Sequence, residues 1–199
     1  MELLEGLLRR KRINLAKRHL PNAKSILDIG CGKDAALLSA LKVKDRAGID
    51  INVESCYREG FALIQMDVTK APLPFFSKRF DAVTMLATLE HIEPASRQNI
   101  VKEAARVLKP QGTILLTMPT PISKTILHAM ARTGLISKKQ VQNHKALITP
   151  QEATGLLQEA KLQEICHGYF EMGLNMWVTG TKQAKQAGAE RIAGVAKTG

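Results

Sequence analysis

Aromatic side chains make up only 4% of this 199-residue chain. That leaves few flat platforms on which the bases of a single-stranded nucleic acid could stack. Cysteine is equally sparse: Cys31, Cys56 and Cys166 are an odd number without zinc-like spacing, so neither a disulfide framework nor a metal site is indicated. No apolar run approaches the ~20 residues that a membrane-spanning helix needs. The opening MELLEGLLRRKRINLAKRHL lacks the apolar stretch of a signal peptide, and residence in the cytoplasm with reduced thiols is the expectation. Acidic residues are the minority charge, 18 against 29 Lys and Arg, for a formal net charge of +11. This balance favours acidic partners such as phosphates, nucleic acid or an anionic bilayer surface, and it bears on association, not on fold.

What is present is a repeating alternation. Apolar runs at 25–29, 46–51, 62–66, 80–86 and 112–118 read as strands, and helical patterns fall at 34–42, a short 53–59, and 97–108. Strands rich in Ile, Leu and Val on both faces, separated by helices, predict a doubly wound, mostly parallel α/β sheet of Rossmann type in a single domain. Residues 1–20 form an expected amphipathic helix whose stripe is Leu4, Leu7, Leu8 and Leu15, packing on the sheet or lying on acidic lipid. Thr149-Pro150-Gln151-Glu152 is a helix start, with Thr as the cap and Pro in the first turn. After it, 162–170 and 174–181 are joined by Glu171-Met172-Gly173 with no room for a crossover, so they pair antiparallel at the sheet edge. The main domain is thus expected over 21–182, and the Ala-, Gly-, Lys- and Gln-rich 183–199 is expected to be disordered.

The segment SILDIGCGKDA, residues 25–35, carries the chemistry. An apolar strand ends in Asp28, and a Gly30-Cys31-Gly32 turn enters the next helix, where glycines allow a ligand to approach the backbone. Gly30, Gly32 and Ala35 fit G-x-G-x-x-A, and Asp50 stands about twenty residues on, where an acidic residue grips a ribose. A dinucleotide site shares this pattern. Against it, Asp28 lies where a pyrophosphate gains nothing from negative charge, and a cofactor with an ammonium and a sulfonium is better served. Asp67 follows the third strand, placed to accept from an exocyclic adenine amine; an Asp after a strand is also a common turn residue. No second domain for a hydride acceptor is expected, and the terminal hairpin is foreign to dinucleotide-binding halves.

In order, LDIGCGKD, GIDI, QMDV, FDAVTMLATLEHI and RVLKPQGTILLTMP resemble the class I S-adenosylmethionine-dependent methyltransferases of the compact small-molecule type. More loosely, GLISKKQVQNHKALITPQEATGLLQEA is similar to methyltransferases of bacterial polysaccharide or lipid-linked glycan assembly. The resemblance implies S-adenosyl-L-methionine as cofactor and methyl transfer to a small-molecule or carrier-linked acceptor by in-line displacement. It implies that Asp28 and the Ile29, Gly30, Cys31 and Gly32 backbone hold the methionine part, and that Asp50 holds both ribose hydroxyls above Ile51. Asp67 would take the adenine amine, Met66 and Val68 would flank the ring, and Leu86 and Ala87 would offer carbonyls to the cofactor amine. Asp34 departs from the pattern, since many members have a third glycine there.

His91, past the fourth strand, and His144, before the capped helix, are the candidate proton acceptors for a hydroxyl acceptor. Either equally suits a plain structural or surface role. Cys31 reads as a small residue at a tight contact, since nothing nearby favours its thiolate. The basic 119–148 stretch, with Lys124, Arg132, Lys138, Lys139 and Lys145, is an expected lid for an anionic acceptor, or else a solvated face. No aromatic-Pro-Pro motif follows the fourth strand and no cysteine follows a proline, so DNA base acceptors are disfavoured. The rivals are a nicotinamide-dependent oxidoreductase and a non-catalytic adaptor for nucleic acid or a membrane surface.

Overall fold

Because the Ile-, Leu- and Val-rich runs are apolar on both faces, they must be covered twice, and the computed structural model shows how. It describes residues 2–123 and 147–184. The elements are α1 (Glu2–His19), β1 (Ser25–Ile29), α2 (Ala36–Ala40), β2 (Asp45–Asp50), β3 (Cys56–Arg58), β4 (Phe61–Gln65), β5 (Phe80–Leu86), a 3-10 turn (Leu89–His91) and α3 (Pro94–Val107). They continue with β6 (Leu108–Pro119), a helix here numbered α4 (Pro150–Glu159), β7 (Leu162–Phe170) and β8 (Asn175–Lys182).

The eight strands form one sheet in the order β3-β4-β2-β1-β5-β6-β8-β7. Strands β4, β2, β1, β5 and β6 run parallel, and β8 pairs antiparallel with both β6 and β7. From β1 the chain winds outward through β2 to β4, then returns to β5 on the other side of β1. The gap between the carboxyl ends of β1 and β5 is therefore the topological switch point, where doubly wound sheets leave a crevice.

Side chains alternate between the faces of a strand. Ile26, Ala82 and Leu115 point to one face and pack with Leu15, Ala16 and Leu20 of α1 and its end, and Leu37 of α2. Leu27, Val83, Ile114 and Leu116 point to the other, against Ile100, Val101 and Ala104 of α3 and Ala153 and Leu157 of α4. Asp28 follows Ile26 by two and so belongs to the α1 and α2 face. The strand pair β1–β5 is also tied at its amino end: Asp81 Oδ2 accepts from Ser25 Oγ at 2.8 Å and from the Ser25 N–H at 2.9 Å, while Lys109 Nζ donates to Oδ1 at 2.8 Å.

Three expectations need correction. The short helix over 53–59 is instead β3, an antiparallel edge paired with β4. Its turn is Glu59-Gly60, with φ of 51° and 79°, the positive values a tight hairpin with matching strand twist requires. The α1 stripe is also displaced. Leu15, Ala16 and Leu20 are buried, but Leu7 is 49% exposed, since only the second half of the helix lies on the sheet. Strand β6 begins earlier than expected, at Leu108, where Phe80 pairs with it before an irregularity in register. Helix α4 starts as its sequence requires, with Thr149 Oγ1 accepting from the Glu152 N–H at 3.1 Å.

Gly48, in the middle of β2, has space for no side chain. A Cβ there would stand 2.8 Å from Cys31 Sγ and Leu38 Cδ1, and 2.9 Å from Leu63 Cδ2. Gly48→Ala should cost about 1–3 kcal/mol through overpacking, read as a lower urea midpoint at unchanged slope; an unshifted midpoint would show that the layer under the glycine turn yields freely.

Candidate active site

The site is built from strand ends. Strand β1 delivers Asp28 to the switch point, where the carboxylate is 3% exposed and its Oδ1 accepts from Thr84 Oγ1 of β5 at 2.7 Å. Burial pushes this carboxyl up to about 7, against the Thr84 hydrogen bond that lowers it, with the charge of Asp50 adding to the rise. A group so placed gains from a cation close by.

After Ile29 the chain turns on Gly30, at φ 76°. A Cβ at Gly30 would collide with Thr88, whose Cγ2 would lie 2.5 Å away. Thr88 is a site residue that the sequence reading does not single out. Its hydroxyl donates to Ile29 O at 3.1 Å and lies 3.4 Å from Leu86 O, tying the ends of β1 and β5 together. Gly32 is different: a Cβ built there meets nothing within 4 Å, so open space lies against the turn. Between the two glycines, Cys31 points down onto Gly48. Burial, with the charges of Asp28 and Asp50, pushes its thiol up to about 12, so it is no nucleophile at neutral pH.

Asp50, at the end of β2, faces this turn. Its Oδ2 accepts from the Gly32 N–H at 2.9 Å and its Oδ1 from the Asn52 N–H at 2.8 Å. Each oxygen keeps a further acceptor direction. Ile51 beside it is 55% exposed, a large apolar side chain at the crevice rim. Asp67, after β4, closes a turn: Thr69 donates to its Oδ1 from the hydroxyl at 2.6 Å and from the N–H at 3.0 Å. These bonds, with Lys70 nearby, hold its carboxyl below the ordinary range. Met66 and Val68 pack by their inner sides against the core. Leu86 is half-buried, and Ala87 turns at φ 55° with its N–H donated to Thr117 O at 2.9 Å.

The structure thus brings Asp28, the glycine turn, Asp50 and Leu86–Ala87 to one carboxyl edge, with Ile51 and Asp67 further along the same side. His91 ends the 3-10 turn after β5 and is exposed. His144 and the lid lysines and arginine at 124, 132, 138, 139 and 145 lie outside the described residues, as does the tail beyond 184. Asp34, the departure from the glycine pattern, pairs with Arg9 of α1 at 2.8 Å in a solvent-exposed contact. Among the described residues no group of three His, Cys, Asp or Glu could hold a metal ion, and no helix is long and apolar enough to cross a membrane.

The residues suit a cationic adenosine cofactor on structural grounds. A buried carboxyl without a cationic partner faces the switch point, the space at Gly32 is open, and the Asp50 carboxylate has acceptor capacity left. Comparison with known proteins gives the same answer. Residues 27–116 match the family model described as a methyltransferase domain. A SAM-dependent methyltransferase from Archaeoglobus fulgidus superposes with a TM-score of 0.68 at 16% identity, over 90% of this chain and 98% of that one. A Thermotoga maritima SAM-dependent methyltransferase, described as a possible histamine N-methyltransferase, gives 0.66 at 19%, over 89% and 92%. Human N-acetylserotonin methyltransferase in complex with SAM gives 0.64 at 18%, over 87% of this chain and 51% of that one. No curated protein sequence matches at comparable significance. The structural likenesses speak for the fold, and the domain match falls on the strands and turns that build the crevice. Over residues 27–116 the chain is thus similar to a methyltransferase domain, set in a fold it shares with S-adenosylmethionine-dependent methyltransferases.

Proposed function

We propose that the protein methylates a small-molecule or carrier-linked acceptor, held at the carboxyl edge between β1, β5 and α1. The observation that carries this reading is the roof over that edge. From α1, Arg9 reaches Asp34 beside the glycine turn, and Arg12 Nη2 reaches Asn175 Oδ1 at the start of β8, at 3.4 Å. The reacting end is walled by short buried polar side chains, a setting that suits a small group better than a duplex. The bound cofactor supplies an activated methyl group on a sulfonium, so little bond-making help is required of the protein.

The chain's own residues then bind and orient. Asp28 receives the ammonium end of the cofactor; its burial makes the unpaired carboxylate costly and the paired one favourable. Asp50 accepts both ribose hydroxyls on its free acceptor directions, with Ile51 beneath the adenine. Asp67 receives the exocyclic amine between Met66 and Val68 on Oδ2, which requires Lys70 Nζ, 3.4 Å away, to give way. The carbonyls of Leu86 and Ala87 complete the ammonium site. Rate comes mainly from holding the acceptor atom ~3 Å from the methyl carbon and in line with the bond that breaks. For a hydroxyl acceptor, His91 takes the proton; His144 is the alternative acceptor of that proton. An anionic acceptor is favoured by the +11 charge of the chain and the basic 119–148 segment.

These assignments lead to three measurements. Asp28→Asn should remove a pH dependence. In the wild type a carboxyl near 7 must lose its proton to meet a cation, so affinity for S-adenosylhomocysteine rises with pH through about 7 and is flat above it. Calorimetry at pH 6 should give up to about tenfold weaker binding than at pH 8, and the asparagine variant a flat profile. Asp50→Ala should weaken S-adenosylhomocysteine by about 10–100-fold, the loss of a charge-assisted pair of hydrogen bonds, while NADH should bind neither form; tight NADH binding would instead favour the oxidoreductase. Removing residues 122–145 should abolish transfer of a tritiated methyl group to cell-extract acceptors yet leave cofactor affinity intact, and undiminished turnover would refute the lid.

A further inference from the structure

Under α1 lies a buried polar cluster that the cofactor does not account for. Glu90, in the 3-10 turn four residues past the end of β5, is 2% exposed, and its Oε2 has no hydrogen-bond partner. Arg12 of α1 points into the same region, with its Nε also unpartnered. Burial lowers the proton affinity of Arg12 and raises that of Glu90, each charge partly offsetting the other's desolvation, and no ion pair joins them. Most of the surrounding groups are engaged, although Glu171 Oε1 also has no hydrogen-bond partner and meets only the charge of Lys11. Arg12 Nη2 contacts Asn175 Oδ1, and Asn175 Nδ2 donates to Glu171 Oε2 at 2.6 Å. Lys11 Nζ stands 3.7 Å from Glu171 Oε1. Arg97 Nε donates to Ile92 O at 3.1 Å and its Nη1 to Glu152 at 2.9 Å.

A buried donor and a buried acceptor, each unsatisfied and each costly to leave so, thus lie close enough to interact electrostatically. We propose that Glu90 Oε2 and Arg12 Nε form an acceptor subsite that grips a hydroxyl group of the methyl acceptor. This rests on the methyltransferase reading above and narrows its substrate class. The chemistry of the pair selects the group. An ammonium would satisfy Glu90 but meet the guanidinium charge, and a carboxylate would satisfy Arg12 but meet Glu90. A hydroxyl donates to the one and accepts from the other. Position fits as well: Thr88, two residues before Glu90, touches the glycine turn, so the subsite adjoins the cofactor crevice. On the crevice side of α1, the contact of Arg9 with Asp34 is exposed and weak.

The test uses the full chain saturated with S-adenosylhomocysteine and reads the arginine Nε–H resonances by nitrogen-15 spectroscopy, that of Arg12 identified by its loss in Arg12→Lys. Ethanediol, ethylammonium and acetate are titrated separately at equal ionic strength. Ethanediol should shift the Arg12 resonance saturably, and ethylammonium and acetate should not. In Glu90→Leu the apparent affinity for ethanediol should fall about tenfold, with Glu90→Gln, which keeps an acceptor, in between. Glu90→Gln also serves if the leucine variant does not fold. A response to ethylammonium or acetate in place of ethanediol, no response to any of them, or an unchanged response in both Glu90 variants overturns the proposal. S-adenosylhomocysteine affinity is measured in parallel by calorimetry. Failure there would fall on the cofactor site, and the same titration on the ligand-free chain would still decide the subsite.

Discussion

The pairing of β1 with β5 is the constraint on which the rest of the molecule depends. It is clamped at one end by Asp81, Ser25 and Lys109 and at the other by Thr84 on Asp28, with Thr88 bridging the strand termini above. These are the two strands between which the winding direction reverses, so no crossover helix lies over their carboxyl ends. A carboxylate placed there is shielded from solvent by the sheet and by α1 and α2, but not neutralised by a cation. The raised affinity of Asp28 for a proton and its suitability for an ammonium have the same physical origin.

Around that pair, each layer fixes the next. Gly48 leaves space for Cys31, Cys31 seats the turn, and the turn presents the Gly32 N–H to Asp50. Ligand-binding geometry is thus set by core packing below it, and the tolerances are tenths of an ångström. Helix α1 works differently. Leu15 and Ala16 are part of the hydrophobic core, whereas Arg9 and Arg12 reach Asp34 and Asn175 with long polar side chains. One helix is both a structural layer and a wall of the site.

The sheet and the cofactor crevice are largely legible in the sequence because they rest on local signals. Apolar runs mark the parallel strands, Gly30-Cys31-Gly32 marks the turn, and a carboxylate at each of three strand ends marks the ligand side. What escapes reading depends on remote contacts. Cys56-Tyr57-Arg58 is exposed throughout, so β3 carries no apolar pattern, and its pairing is set by the Glu59-Gly60 turn. Glu90 reads as a loop carboxylate within Leu-Glu-His-Ile; its burial beside Arg12, from the far end of the chain, depends on the folded packing. Thr84 and Thr88 look like ordinary strand and loop residues until β1 lies beside them.

The sheet order β6-β8-β7 places the later-synthesised of the two hairpin strands on the inside. While the polypeptide is still emerging from the ribosome, β7 has no neighbour in the sheet and β6 presents a bare edge. Lys182, at the end of β8, donates to the carbonyls of Ala105, Arg106 and Leu108 at 2.6, 3.2 and 2.8 Å, so the end of α3 also waits for this strand. Completion of the sheet therefore waits for β8 to emerge. Until it happens, the nascent domain offers an open template for a neighbouring chain, the interval in which a chaperone is of most use.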